Sequence, residues 1–122
     1  MANANAIYKT MAQVTVENLN MDHWAGSDEP RMTCNTTMCL AGHAVVAAGK
    51  ALAWVQDTDS GEWQASTTTD GRSVEHFAAE YLGLDDDQAN DLFFETPADT
   101  PEALWDAIEH HTGVKRPSLV SA

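Results

Sequence analysis

Apolar residues recur along this chain in short bursts whose spacing changes from helical to alternating and back. Ile7, Tyr8, Met11, Val14 and Thr15 fall at three- and four-residue steps, which predicts a helix over 5–19 with Asn3 or Asn5 as its cap. Residues 20–33 lose that period. Gly26, Ser27, Asp28 and Pro30 break them into a loop from which Trp24 and Met32 fold back onto the core. A second helix is expected after Thr36 or Thr37, ending at Gly49, a residue suited to a left-handed C-terminal position.

Two β-compatible runs, 51–56 and 63–68, flank the Asp/Ser/Gly cluster of 57–62, and together they read as a hairpin. Asp70-Gly71 marks a further turn. Ser73 then caps a third helix whose apolar face is Val74, Phe77, Ala78, Tyr81 and Leu82, with Gly83 ending it and Leu84 placed for a Schellman contact. Asp85 and Gln88 have the spacing of a capping box for a fourth helix, from which Leu92, Phe93 and Phe94 pack inward. Thr100-Pro101 opens a fifth, with Leu104, Trp105 and Ile108 as its stripe and Gly113 as its stop. The expected fold is α+β, a mostly helical single domain over 1–114 with about five helices. One small β-hairpin lies between helices 2 and 3, and a frayed tail covers 115–122.

At 122 residues the chain holds one core, and at 43% hydrophobic, with four tryptophans, it has the material for it. No run reaches the roughly 18 uncharged apolar residues of a membrane span. The opening residues have neither the basic nor the apolar region of a secretory leader, so a cytosolic setting with reduced cysteines is expected. The formal charge is −13, and it is lopsided. Fifteen of the nineteen acids lie in 57–109, where Arg72 is the only base. Six Lys and Arg cannot build a phosphate-binding face, which argues against direct nucleic-acid binding. The acidity fits a partner with a basic face, and Asp86, Asp87, Asp91 and Glu95 are the candidate contacts. It also fits a DNA mimic or anti-restriction inhibitor, and it serves solubility in any case.

The densest chemistry lies in 34–49. Cys34, Cys39 and His43, with His23 or Asp22 as fourth ligand, make the one zinc set the sequence allows. A Cys39–His43 nucleophilic pair is the catalytic alternative, since both fall on one helix face and Cys39 lies near the helix start. Neither has a complete signature: the zinc set is one loose pair plus a histidine, and the thiol lacks an evident oxyanion loop. We therefore read both cysteines as small buried hydrophobes, with no metal, cofactor or catalytic residue assigned. The 57–62 loop fails as a calcium site, because Gly61 stands where a ligand belongs and Glu62 where glycine is required. Asp85–Asp87 read as a cap with favourable dipole charges, and His76, His110 and His111 as solvent-facing. Gly42, amid Ala41, Ala44, Ala47 and Ala48, implies close approach of a backbone or of an indole from Trp24, Trp54 or Trp105.

Four motifs in order are Cys34-x4-Cys39-Leu-Ala-Gly-His-Ala44, Ala79-Glu-Tyr-Leu-Gly-Leu84, Gln88-Ala-x-x-Leu-Phe93 and Thr100-x-Glu-Ala-Leu-Trp105. This series resembles a group of small uncharacterised proteins of actinobacteria and their bacteriophages, over roughly 21–110. Similar proteins often carry Trp at the position of His43, which implies that His43 is not an obligatory ligand. The resemblance implies a source and no activity. The expectation is a small acidic phage-type protein, not an enzyme, that binds a host or phage protein.

Overall fold

The computed structural model describes residues 2–21, 23–33, 36–96 and 98–117. Its centre is α2, Leu40–Ala47, in which every residue except Val46 is buried. A helix apolar on all sides has no solvent face and must be surrounded. α1 (Ala4–Met11), α3 (Val74–Leu82) and α4 (Asp86–Phe94) all pack against it, and α5 (Pro101–Thr112) lies beyond against α4. The fold is thus the small α+β domain expected, with five helices among the described residues.

The helix punctuation follows the sequence. Ser73 Oγ accepts from His76 N, Gly83 adopts φ +70°, and Leu84 N–H returns to the Ala79 carbonyl at 2.9 Å. Asp85 and Gln88 close a full capping box, Thr100 caps α5 ahead of Pro101, and Gly113 ends α5 at φ +77°. The first helix is shorter than expected and ends at Met11. Thr15 N–H donates to Asn18 Oδ1 at 2.8 Å, Asn18 N–H donates to Thr15 Oγ1, and Asn18 Nδ2 donates to the Gln13 carbonyl. These short polar side chains capture the backbone groups that a longer helix would need.

The sheet is larger than the single hairpin expected. β1 (Ala25–Ser27), β2 (Thr37–Met38), β3 (Val55–Gln56) and β4 (Trp63–Gln64) form an antiparallel sheet in the order β2-β1-β4-β3. Half of it comes from the region expected to be loop and helix start. Ser27 and Thr36, each 3% exposed, organise that region. Thr36 Oγ1 donates to Ser27 Oγ at 2.9 Å, Ser27 Oγ donates to the Arg31 carbonyl, and Thr33 N–H donates to Thr36 Oγ1. Met32, expected on the core, is 45% exposed at the outer edge of this loop.

Lys115 and Arg116, expected as the start of a free tail, are held against the domain. Tyr8 Oη donates to the Lys115 carbonyl at 2.9 Å, and Arg116 bonds Glu109 and Asp106. Residues 118–122 of that segment lie outside the described residues. Trp105 packs its ring 6.0 Å from that of Tyr8, and Trp54 is half-buried against the core.

Gly42 meets a backbone and not an indole. A Cβ on it would lie 2.1 Å from the Trp24 carbonyl oxygen and 2.9 Å from Met38 Cβ. A backbone oxygen cannot swing aside as a side chain would. The methyl of Gly42→Ala therefore forces α2 away from the chain at Trp24, outweighing alanine's better helix propensity. The substitution is expected to cost about 1–3 kcal/mol and to lower the melting temperature by roughly 4–12 °C. Calorimetry of the purified variant checks this, and an unchanged melting temperature would show that the contact is slack.

Candidate functional site

A cleft of about 630 Å³ opens between the β1-β4-β3 part of the sheet and the C-terminal end of α4. Its walls include Trp24, Phe93 and Phe94 on one side and Val55 and Asp57 on the other, with Cys39 beneath. Trp24 meets both phenylalanines edge to face, at 5.4 Å for Phe94 and 6.2 Å for Phe93. Edge-to-face packing at these distances is favourable and fixes the indole as the cleft's wall.

The two phenylalanines behave differently. Phe93 is 4% exposed and belongs to the core with Ala89 and Leu92, whereas Phe94 is 55% exposed. One residue along a helix turns a side chain by about 100°, and α4 has only one buried stripe, so Phe94 cannot share it. This corrects the expectation that Phe94 packs inward. Val55, across the cleft, is 67% exposed. Single exposed apolar residues are ordinary on any surface, but two large ones beside one aromatic-lined cleft form a patch.

The electrostatics of this face follow from where the few bases are used. Arg31 pairs with Glu29, Lys50 with Asp70, Arg72 with Glu80, and Arg116 with Asp106 and Glu109. No ion pair among the described residues reaches Asp57, Asp86, Asp87 or Glu95. Asp86 and Asp87 are exposed in the first turn of α4, Glu95 is exposed at its C-cap, and Asp57 lines the cleft. Asp91 differs from the other three candidates on α4. It is half-buried, with its carboxylate 3.5 Å from His111 Nδ1, while Gln88 Nε2 donates to the His111 carbonyl. Asp91 therefore helps seat α4 on α5, and His111 faces that contact and not solvent.

The residues of the sequence-derived zinc set that can be placed, and the Cys–His pair within it, turn to separate partners. Cys39 is the N-cap of α2, and its thiol points at the Trp24 carbonyl, 3.8 Å away. Burial pushes its pKa up to about 11, against the smaller opposing pull of the Gly42 and Ala41 backbone N–H groups. The helix start thus does not make this thiol a nucleophile. His43 turns toward the end of α1. Its Nδ1 lies 3.1 Å from Gln13 Nε2, its Nε2 lies 3.1 Å from the Asn18 carbonyl, and the same Gln13 nitrogen donates to the His43 carbonyl at 2.9 Å. That last bond fixes which end of the Gln13 amide faces the ring. Nδ1 must then accept and Nε2 must donate, which assigns a neutral imidazole. His23 Nε2 bonds Thr37 Oγ1 at 2.8 Å. Cys34 and Asp22 lie outside the described residues, and among those described no three His, Cys, Asp or Glu side chains gather as a metal would need.

Neither Phe94 nor Val55 was singled out from the sequence as a surface residue. The signal available was the Phe93-Phe94 pair itself, since adjacent large apolar residues on a two-sided helix cannot both be core. No family model matches this chain, and no curated protein or solved structure matches it.

Two outcomes follow from the buried cysteine and histidine. Burial lowers the folded-state pKa of His43 below its ordinary 6.5, with the Asn18 carbonyl pulling weakly the other way. Below about pH 6.5 the unfolded chain takes up a proton there that the native state refuses, so stability falls as pH drops toward the folded value. Denaturant titrations from pH 7.5 to 5 should show this slope in the wild type and a shallower one in His43→Gln; equal slopes would refute it. In a Cys34→Ser background, Cys39 should react with a thiol reagent at pH 8 only as fast as the domain opens, and addition of mild denaturant should accelerate it.

Proposed function

We propose that this protein is a non-enzymatic binding module whose cleft takes an apolar anchor from a protein partner with a basic docking face. The observation that carries this reading is the position of Phe94. It stands on the cleft wall beside Trp24 at the last position of α4, next to the exposed C-cap Glu95, on the helix whose first turn presents Asp86 and Asp87 to solvent. Aromatic anchors in a desolvated pocket, ringed by charge that steers and orients, are the usual division of labour at protein interfaces. The unpaired carboxylates supply the steering and the Trp24–Phe94–Val55 surface the affinity. The protonated, shielded Cys39 thiol and the hydrogen-bonded His43 support a binding role over a catalytic one. The motif resemblance supports a partner in the cytoplasm of a bacterial host, of host or phage origin.

The test compares proteins retained from a bacterial lysate by the immobilised wild-type chain, by Phe94→Ala and by Asp87→Lys/Glu95→Lys. Asp91 is left intact because of its contact with His111. A specific partner should be lost about tenfold or more in Phe94→Ala. In the charge-reversed chain its association should be slower and less dependent on salt. Equal retention by all three chains would refute this function, and displacement of the chain from its partner by duplex DNA would favour a DNA mimic instead.

A further inference from the structure

The sheet ends on β3 with its outer edge unpaired. In the order β2-β1-β4-β3, β3 is hydrogen-bonded to β4 alone. The register pairs Val55 with Gln64 and Gln56 with Trp63, and Asp57 N–H donates to the Glu62 carbonyl at 2.8 Å. Hydrogen-bonded pairs alternate along an antiparallel ladder. The 57–62 and 55–64 pairs therefore carry the bonds, and the N–H and C=O of Gln56 point outward. Among the described residues neither group finds a partner elsewhere, and Gln56 is exposed. The ribbon continues back to the Leu52–Thr68 bridge, but Leu52 is buried, so the exposed part of the edge is Val55–Gln56.

Exposed edges in natural proteins are commonly guarded by lysine or other charge, proline, a bulge or extreme shortness, and of these β3 has its two-residue length and the flanking Asp57. Here residues 51–57 read Ala-Leu-Ala-Trp-Val-Gln-Asp, without lysine or proline. Val55, Gln56 and Asp57 of this edge also line the aromatic cleft. An open edge and an apolar cleft along the same three residues are what a strand-adding peptide uses: main-chain bonds to the edge, alternate side chains into the pocket. The charge decides which strand fits. A second copy of this chain would bring another −13 and a second Asp57 to the same edge, whereas a basic segment would be drawn to it.

We infer that the β3 edge is a strand-addition site, which takes an extended basic segment of a partner protein as a fifth strand and seats its alternate apolar side chains against Val55, Phe94 and Trp24. This deepens the binding reading above and rests on it.

The probe is a capped peptide of alternating lysine and valine, with two controls: the same peptide with glutamate for lysine, and a version with every backbone nitrogen methylated. Binding is followed by calorimetry and by amide hydrogen exchange of the isotope-labelled protein. The lysine peptide should bind and slow exchange at the Gln56 amide, and the glutamate peptide should not bind. Backbone methylation should weaken binding about tenfold or more, through loss of at least two main-chain hydrogen bonds. Gln56→Pro, which removes an N–H that β4 does not use, should do the same while leaving the melting temperature near wild type. If the methylated peptide binds as well as its parent, strand addition is wrong while cleft binding survives. If no peptide binds, a basic strand is not the occupant, and the Phe94→Ala comparison judges the binding reading separately. A chain that sediments as a dimer, and becomes monomeric on Gln56→Pro, would assign the edge to a second copy and overturn the inference.

Discussion

The close approach of Gly42 to the Trp24 carbonyl sets the rest of the molecule. It brings a fully buried helix against the backbone that leads into β1, with no side chain between them. Because Trp24 is held through its main chain, its indole is free to serve as a wall. The Cys39 thiol reaches the same carbonyl, so the N-terminus of α2 and the start of the sheet are joined at one residue. The sheet therefore sits over the end of α2 and not beside it, and the gap left between sheet and α4 is the cleft. Packing and candidate site have a common origin in one missing methyl group.

What could be read from the sequence was local punctuation. Ser73, Gly83, the Asp85–Gln88 box, Thr100-Pro101 and Gly113 act within one helical turn of themselves, and the structure uses each where the sequence places it. Gly42 was legible as a close contact because glycine has so few other reasons to sit in mid-helix. The misses are non-local. Ala25–Ser27 carry none of the β-branched or aromatic residues that mark a strand, and they become one by pairing with Met38 on one side and Gln64 on the other. Gly26, which reads as a loop breaker, lies within β1, where the ends of the Glu62 and His23 side chains come close to its α-carbon. Thr15 and Asn18 stopped α1 through reciprocal side-chain bonds that periodicity does not register. Of the candidate site, the acidic residues were visible as charge, but the cleft exists only when β3, β1 and α4 converge.

In the sequence's most reactive-looking segment, the two reactive side chains that can be placed, Cys39 and His43, both make structural contacts. His43 ties α2 to the end of α1 through three bonds with Gln13 and Asn18, replacing the hydrophobic contact that a central helix would otherwise make there. Buried polar networks of this kind, fully satisfied, fix one arrangement among several that apolar packing alone would tolerate. His43 and Cys39 thus serve orientation, while the exposed walls of the cleft are built from phenylalanine, valine and aspartate.

Tyr8 and Lys115 lie 107 residues apart in sequence, yet the phenol of one holds the carbonyl of the other beneath the Tyr8–Trp105 ring contact. Closing a loop of that length brings the chain nothing until both ends are already in place, so the loop-closure entropy must be met by contacts formed earlier. Those contacts are the short-range ones around α2, α3 and the Asp85–Gln88 capping box. By this argument the Tyr8–Lys115 bond should form late, like a belt drawn round a core that has already set. Thermal opening should begin by releasing that belt, well before the contact at Gly42 gives way.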